Sequence, residues 1–397
     1  MKENYGKIVR NLLIATLAIW GVTFAAARRD IYTDLLQHTN WAFTLNKSNL
    51  FEFMTTYVSY PLWHMCVRVW GEIFPLDKLN AASGITALFN CFALWSVMFV
   101  WNKLSRVKIE FETVSFYSVC LLLVGPLSLP VFNRMYYLGQ GSPNVWHNPT
   151  NIAVKGLAIL CFALVVYILE SAKKDKELKI QYMGLSLLLF LSALAKPTFL
   201  QGFIPGLGLY MIFALIVKGF KQHIKRFVYI VITFIPAVCI IVFQFISSFF
   251  VANNVVEGGG IGIEFGRVLY RWTPNITVSL LLAFAFPIVV LLINFKTLIK
   301  RVPIQLALFY ELAAWGESVL LYEKGMREVH GNWMWGSFLS MLIVWMVFLI
   351  SYIEILHDKN VSEKRKKCNL YVGVPLLFAH LLFGISFWYQ CSMFYPT

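Results

Sequence analysis

The chain has 397 residues, of which 59% are hydrophobic and only 14% are charged. Because an ordinary soluble domain is about 45–50% apolar and about 25% charged, this composition excludes a disordered chain, a soluble globular enzyme and a secreted disulfide scaffold. It favours a polytopic helical membrane protein. The formal net charge of +14 is compatible with nucleic acid, anionic lipid or an anionic substrate as partner, and the positions of the cations decide among them.

Eleven apolar runs are long enough to be membrane spans. The hydrocarbon core of a bilayer is about 30 Å thick, and a helix needs about 20 mostly apolar residues to cross it. We therefore predict an all-α transmembrane bundle, a single integral membrane domain over residues 1–397 with about 11 spans. The runs lie near 8–27, 81–101, 113–133, 150–170, 180–195, 199–217, 227–250, 275–295, 302–321, 333–356 and 369–390. The run at 180–195 is short and ends at Lys196-Pro197, so we expect a broken or half-buried helix there.

The segment 58–74 has a different pattern. His64, Arg68 and Glu72 recur every four residues, which places three polar groups on one helical face. This predicts an amphipathic helix that lies at the membrane interface within the first outer loop, 28–78, and does not span.

The distribution of cations predicts the orientation. With the N-terminus in the cytoplasm and eleven spans, 22 of the 34 Lys and Arg residues fall in inner segments and 10 in outer ones, while Lys155 and Lys196 fall inside spans. Short loops with an excess of Lys and Arg face the cytoplasm. Because the basic residues are scattered over six short inner segments, nucleic acid is disfavoured as a partner.

The first outer segment contains Asp30, Asp34 and His38, which share one face if the stretch is helical. Carboxylates beside a histidine, just outside a span, suit a general base or a metal site. The alternative is a solvated amphipathic helix with Arg–Asp pairs.

Two other places carry unusual polar residues near span ends. His147 and Asn148 stand at a span entrance, where they can hold an anion or simply cap a helix beside an aromatic belt. Lys196 lies between two apolar runs, and a cation buried in a membrane is a functional candidate by default. The alternative for Lys196, as for Lys155, is a side chain that extends to the interface.

Two later outer segments add further candidates. The Gly-containing loop 251–274 holds Arg267 and Arg271 at helical i,i+4 spacing, and Arg matches phosphate oxygens well. The last outer segment holds His330 among acidic residues. Ordinary surface charge pairing explains each segment equally well. Nearly all the unusual residues nevertheless fall on one predicted membrane face, which favours an asymmetric site there.

This arrangement resembles the GT-C superfamily of integral membrane glycosyltransferases, which includes the protein O-mannosyltransferases. In that superfamily an acidic residue just after the first span acts at the catalytic centre, and Asp30 or Asp34 matches that position, with His38 one turn on. A Pro-containing interfacial helix often follows. The matching stretch here has one proline where the family often has two, and reads Tyr60-Pro61-Leu62-Trp63-His64. The adjacent Asp-Glu pair of some relatives is missing, and the likeness covers the chain to about Phe199.

The resemblance implies an inverting glycosyltransferase that takes a sugar from a polyprenyl-phosphate donor and passes it to a saccharide or lipid-linked acceptor on the extracytoplasmic face. Asp34 is favoured over Asp30 as the base because it lies nearer to His38 and farther from the Arg28-Arg29 pair. No cofactor is required, although a divalent metal is compatible. We expect a bacterial plasma membrane protein of cell-surface polysaccharide or glycolipid synthesis. Candidates for the leaving phosphate are His147, Asn148, Lys196, Arg267, Arg271 and His330.

Three other classes remain open. A flippase or other transporter of lipid-linked saccharides predicts polar residues along a midplane cavity. A membrane O-acyltransferase requires a histidine in a span and a cytoplasmic acyl donor, whereas most histidines here fall in predicted outer segments. A non-enzymatic assembly subunit predicts that replacing Asp30 or Asp34 affects stability alone.

Overall fold

The structure is a computed structural model that describes residues 5–29, 34–132, 141–248, 260–325, 328 and 331–393. Within these ranges the chain is almost entirely helical, as the composition predicts. The helices are α1 (Tyr5–Arg29), α2 (Asp34–Thr44), α3 (Leu50–Thr56), α4 (Leu62–Ile73), α5 (Lys78–Leu104), α6 (Phe111–Leu123), α7 (Pro149–Glu170), α8 (Lys179–Ala195), α9 (Thr198–Lys218), α10 (Phe220–Thr233), α11 (Ile235–Ile246), α12 (Leu269–Trp272), α13 (Ile276–Leu298), α14 (Val302–Leu320), α15 (Met334–His357) and α16 (Glu363–Met393).

Several of these helices have the properties of membrane spans. Among the described residues, eight helices are long and apolar enough to cross a bilayer, and the bent pair α10–α11 makes a ninth if it is one span. These helices support a multi-pass membrane protein. The eight are α1, α5, α7, α8 with the preceding 3₁₀ turn Asp175–Leu178, α9, α13, α15 and α16.

The breaks in the predicted spans do not fall at 180–195, where one was expected. That run is an unbroken helix, and with its 3₁₀ turn it covers 21 residues. The run at 227–250 is bent by 46° between α10 and α11, where Pro236 follows the break. The run at 113–133 is helical only to Leu123, so α6 has 13 residues and a length of about 20 Å. Pro126 explains this early end, because the residue before a proline disfavours helical geometry.

Residues 124–128, directly after α6, are non-helical and largely buried, and neighbouring helices satisfy part of their backbone. The N–H of Gly125 donates to the carbonyl of His380 at 3.0 Å, and Nδ1 of His380 contacts the carbonyl of Gly125 at 2.7 Å. The N–H of Leu127 donates to the carbonyl of Leu282 on α13. A Cβ atom at Gly125 would lie 2.7 Å from Cα of Gly384, so glycine permits this close approach to α16. Non-helical backbone at such a place requires partners of this kind.

Helix α15 is the centre of the bundle. Nearly every residue from Met334 to Ile355 is buried, as expected for a helix that is apolar on all sides. Helices α9, α13 and α14 pack against it, while α1, α5 and α7 form a second packed group. The ends of α7, α9 and α15 lie close enough together to build a site.

The segment predicted as the first outer loop, 28–78, contains α2, α3 and α4. Helix α4 confirms the helix predicted within 58–74, although its location at the membrane interface remains a prediction. Its polar residues have separate environments. Arg68 and Glu72 form a partly exposed ion pair at 3.0 Å, whereas His64 is fully buried.

The described residues confirm the all-α prediction and add one pair of short strands. Strand β1 (Gly260–Ile263) pairs antiparallel with β2 (Leu321–Lys324), in register from Gly260 opposite Lys324 to Ile263 opposite Leu321. The pairing connects the Gly-containing loop with the last predicted outer segment.

Candidate functional site

Five distant parts of the chain meet in a cluster of polar and aromatic side chains, which we call the Asp34 cluster. Helices α2 and α4 contribute three of its members, the start of α7 two, the α8–α9 junction one and the start of α15 one. The members are Asp34, His38, His64, His147, Asn148, Lys196 and Trp335.

Asn148 is the central member of the cluster because its amide has two roles. It is the N-cap of α7, and its Oδ1 accepts from the N–H of Asn151 at 2.9 Å. The same oxygen accepts from Nζ of Lys196 at 2.9 Å. Its Nδ2 donates to Oδ2 of Asp34 at 2.6 Å. Asn148 therefore links a carboxylate to an ammonium group while it begins a membrane helix.

Lys196 is buried within the protein. It lies between α8 and α9 in extended conformation, is 4% exposed, and places Nζ 4.7 Å from the ring centroid of Trp335. Such contact with an aromatic face stabilises a cation. Burial lowers the pKa of Lys196 to about 7, and the nearby carboxylate of Asp34 acts in the opposite direction.

His147 lies on the other side of Trp335, with 5.6 Å between the ring centroids. Burial lowers the pKa of His147 to about 4, with Asp34 raising it and Lys196 lowering it further. At neutral pH its imidazole is therefore uncharged. A neutral imidazole next to an ammonium group adds hydrogen-bonding capacity without adding charge repulsion.

His38 forms a direct pair with His64, which the sequence analysis placed in the helix but not in the site. Nδ1 of His38 and Nε2 of His64 are 2.9 Å apart, and the residues are 6% and 0% exposed. Burial lowers the pKa of His64 to about 3 and holds that of His38 well below its ordinary value, to which His64 and Lys196 also contribute. Asp34, one turn before His38 on α2, is only half-buried.

Arg267 and Arg271 do not join the Asp34 cluster. Arg267 contacts Glu264 at 2.7 Å and Glu328 at 3.1 Å, and Arg271 also pairs with Glu328. Hydrogen bonding to Arg267 is the largest cause that lowers the pKa of Glu328. We call these four residues the Arg267 group. A shallow surface depression beside it is lined by Tyr322, Glu328, Asn332 and their neighbours, and by no member of the Asp34 cluster.

The remaining candidates are placed as follows. Asp30 and His330 lie outside the described residues. Lys155 is buried at 1% exposure, in contrast to the expected extension to the interface, and donates to Oδ1 of Asn144 at 3.3 Å. Asn144 in turn donates to the carbonyls of Leu121 and Val124 at the end of α6. The described part of the chain contains no group of three or more His, Cys, Asp or Glu residues that could hold a metal ion.

Sequence reasoning missed two members of the cluster. Trp335 stands at the start of an apolar run, where a tryptophan is ordinarily an interfacial anchor. His64 was predicted only as one polar residue of an amphipathic helix. A usable signal was present for His64, since it is separated by one full turn from the charged pair Arg68–Glu72 and is flanked by apolar residues.

Comparison with models of known protein families finds no match. Comparison with curated proteins also finds none.

Proposed function

We propose that the protein is an inverting membrane glycosyltransferase that uses a polyprenyl-phosphate sugar as donor. The observation that carries the proposal is the continuous chain Asp34–Asn148–Lys196, with hydrogen bonds of 2.6 and 2.9 Å. It brings a carboxylate and a buried ammonium group together from segments that are far apart in sequence. General base catalysis and stabilisation of a leaving phosphate require these two kinds of group in one place.

The location of the cluster supports transfer at one membrane face. Asn148 is the N-cap of α7, Lys196 separates α8 from α9, and Trp335 is the second residue of α15. Because α8 ends where α7, α9 and α15 start, these helix ends belong to the same side of an alternating bundle. We propose eleven crossings with a cytoplasmic N-terminus, which places this side outside the cell, in a bacterial plasma membrane.

The proposed chemistry assigns distinct roles to the two ends of the chain. Asp34 takes the proton from an acceptor hydroxyl, whose oxygen attacks the anomeric carbon of the sugar. The bond between that carbon and the phosphate oxygen breaks, and the lipid phosphate leaves with the electron pair. Lys196, with Asn148 and His147, stabilises the negative charge on the phosphate. A single displacement inverts the anomeric configuration.

The outer candidates have a secondary role in this proposal. Arg267 and Arg271 would contact the acceptor or the donor only from outside the Asp34 cluster, while Asp30 and His330 remain candidates from the sequence alone. The two arginines already have carboxylate partners, so they would have to exchange Glu264 or Glu328 for a phosphate. The acceptor is a saccharide or lipid-linked molecule of the cell surface, and no cofactor is required, although a divalent metal is compatible.

A transporter of lipid-linked saccharides is the second candidate. The non-helical, largely buried residues 124–128 after α6 and the buried Lys155 are features that transporters use near the membrane midplane. Lys155 lies seven residues after Asn148 on α7, two turns along the same face. We rank this function second because Lys155 interacts with Asn144, which is itself bonded to the end of α6.

The decisive experiment measures transfer by purified protein in nanodiscs, with synthetic polyprenyl-phosphate sugars and soluble or lipid-linked acceptors. The variant Asp34→Asn should lose about 10²- to 10⁴-fold in kcat, the usual contribution of a general base. Glu52→Gln, an exposed carboxylate on α3 of the same loop, is the matched control. Full activity in folded Asp34→Asn would contradict the role of Asp34. Absence of transfer and binding with every donor would contradict the proposed function.

A further inference from the structure

The side of the bundle opposite the Asp34 cluster carries a group of exposed lysines. Helix α7 has 22 residues, so its two ends are about 33 Å apart, and the Asp34 cluster lies at its start. Beyond its end, the turn to α8, the start of α8 and the first half of α10 contribute five lysines with exposed side chains. We call them the lysine surface: Lys173, Lys174, Lys176, Lys179 and Lys225.

Arg226 of α10 holds the two parts of this surface together. Its guanidinium group donates to the carbonyls of Ile168 and Ser171 at the end of α7, at 3.0 and 2.6 Å, and to the carbonyl of Lys173 at 2.6 Å. Its Nε contacts Oδ1 of Asp175 at 3.0 Å. Because one rigid, planar group makes all these contacts, they fix the turn after α7 against α10. The lysines therefore stand on backbone that is held in place.

The positive charge of the lysine surface is only partly compensated by its own acids. Segments 171–180 and 223–226 contain six Lys and Arg residues and two carboxylates, a formal charge of +4 with histidine neutral. One of these carboxylates, Asp175, is already bonded to Arg226 and to the hydroxyl of Tyr182. The exposed lysines therefore attract anions, and their compact ammonium groups suit phosphate oxygens.

Exposed apolar side chains lie directly beside the lysines. Ile180 follows Lys179 and is 81% exposed, and Val228, three residues after Lys225, is 49% exposed. Helices α8 and α10 pack against each other, which brings both pairs to the same side of the bundle. A molecule that contacts both kinds of side chain has an anionic head and apolar chains. A free phosphate or a nucleic acid would contact the lysines alone.

We propose that the lysine surface binds the head group of an anionic phospholipid, whose acyl chains lie along the exposed apolar side chains of α8 and α10. Lysine clusters at the ends of membrane helices recognise anionic head groups in this way. In the proposed orientation this lipid belongs to the cytoplasmic leaflet. The interaction is independent of sugar transfer, because the lysine surface lies at the opposite end of α7 from the Asp34 cluster.

The first test identifies the lipid next to one residue. Photoreactive benzoylphenylalanine is placed at Ile180 in the full chain, which is reconstituted in vesicles of equal parts phosphatidylglycerol and phosphatidylcholine. After illumination, mass spectrometry measures which lipid is attached. We expect several-fold more phosphatidylglycerol than phosphatidylcholine. The same group at Leu281, which is 52% exposed near the start of α13, should attach both lipids equally. Equal attachment of both lipids at Ile180 would overturn the proposal.

A matched set of variants separates the lysine surface from general surface charge. Lys174→Gln combined with Lys176→Gln should lower the ratio of attached phosphatidylglycerol to phosphatidylcholine by about fivefold or more. Lys359→Gln combined with Lys367→Gln removes the same charge from exposed lysines around the α15–α16 turn, and should leave the ratio unchanged. Arg226→Lys retains the charge but cannot make all the contacts of the guanidinium group, so it should lower the ratio as well. An equal loss in the Lys359 and Lys367 control would contradict a specific site.

A competition experiment distinguishes a lipid head group from free phosphate. Soluble glycerol phosphate, added in excess over the vesicle lipid, should leave most of the preference at Ile180 intact, because it lacks the acyl chains that contact α8 and α10. Complete loss of the preference would show that the lysines bind free phosphate and would overturn the proposal.

Discussion

The Asp34 cluster and the Arg267 group both combine acids and cations on the predicted outer face, but they differ in how their charges are compensated. In the Arg267 group, arginines contact carboxylates directly at 2.5 to 3.1 Å, and the arginine side chains are 39% and 46% exposed. In the Asp34 cluster, Lys196 is 4% exposed and an amide lies between it and Asp34. Exposed charges that contact a partner directly are already well stabilised. The buried charge of Lys196 is only partly compensated, because an amide separates it from Asp34.

This difference shows which kind of charged residue indicates a functional site. Exposed ion pairs contribute little to stability and recur on most protein surfaces. A cation in a low-dielectric interior is costly unless it has a direct partner, and so it is retained mainly where a ligand or reaction needs it. A substrate phosphate at Lys196 would supply the missing charge. Local charge density, which is high in both regions, does not distinguish them.

After Asp34→Asn, the largest expected effect is at Lys196. Lys196→Met should lower kcat by about 10²- to 10³-fold, the usual cost of losing a donor to developing negative charge. Its Tm should not fall much, because the variant also removes a buried charge. Transfer kinetics and thermal unfolding of the same preparation measure both effects. Lys155→Met, the other buried lysine, is the matched control. If Lys155→Met were the more damaging of the two, the transporter function would be favoured.

Variants of Asn148 should have a smaller effect, and they distinguish its role as the N-cap of α7 from its hydrogen bond to Asp34. Asn148→Asp retains an oxygen for the N–H of Asn151 but places a second carboxylate beside Asp34, so transfer should fall at least tenfold with little change in Tm. Asn148→Ala also loses the cap and should reduce the free energy of unfolding by about 0.5–2 kcal/mol. Asn275→Ala removes an equivalent N-cap from α13, and should affect stability without affecting transfer. Equal activity losses in Asn148→Ala and Asn275→Ala would indicate that only helix capping matters.

The pH dependence provides a third comparison. The pKa of Lys196 is about 7 in the folded protein, against 10.5 for an ordinary lysine. Between these values the folded Lys196 is mostly neutral, whereas the unfolded lysine still holds its proton. Because the unfolded chain binds more protons there, the free energy of unfolding should rise with pH in this window. Activity should fall above pH 7, because the phosphate needs the ammonium form. Lys196→Met should lack both trends, as measured by thermal unfolding and kcat/KM profiles from pH 6 to 9.

The smallest effect is expected at the Arg267 group. Arg271→Met leaves Glu328 paired with Arg267 at 3.1 Å, so transfer should change less than about threefold and Tm should change little. Donor titrations at low and high salt provide the measurement. A large, salt-dependent loss of donor affinity would show that the arginines exchange their carboxylate partners for the lipid phosphate, and would remove the contrast between the two regions.

Composition and hydrophobic pattern were sufficient for the membrane class and the predominance of helices, because both depend on local chemistry. A span requires a run of apolar residues, and Pro126 and Pro236 lie beside the interruptions in α6 and the α10–α11 pair. The residue types at Asp34, Asn148 and Lys196 identified candidates individually. Each pattern extends over a few helical turns, so none specified which candidates meet.

The packing of the helices decided which of these candidates come together. The bond from Asn148 to Asp34 spans 114 positions and that from Lys196 to Asn148 spans 48, distances over which helical periodicity carries no information. The same packing paired Arg267 and Arg271 with Glu328, and placed His64 against His38 rather than on an exposed polar face. The sequence thus determined which groups were available, and the arrangement of helices determined which charges were buried together, since burial depends on neighbours from the whole chain.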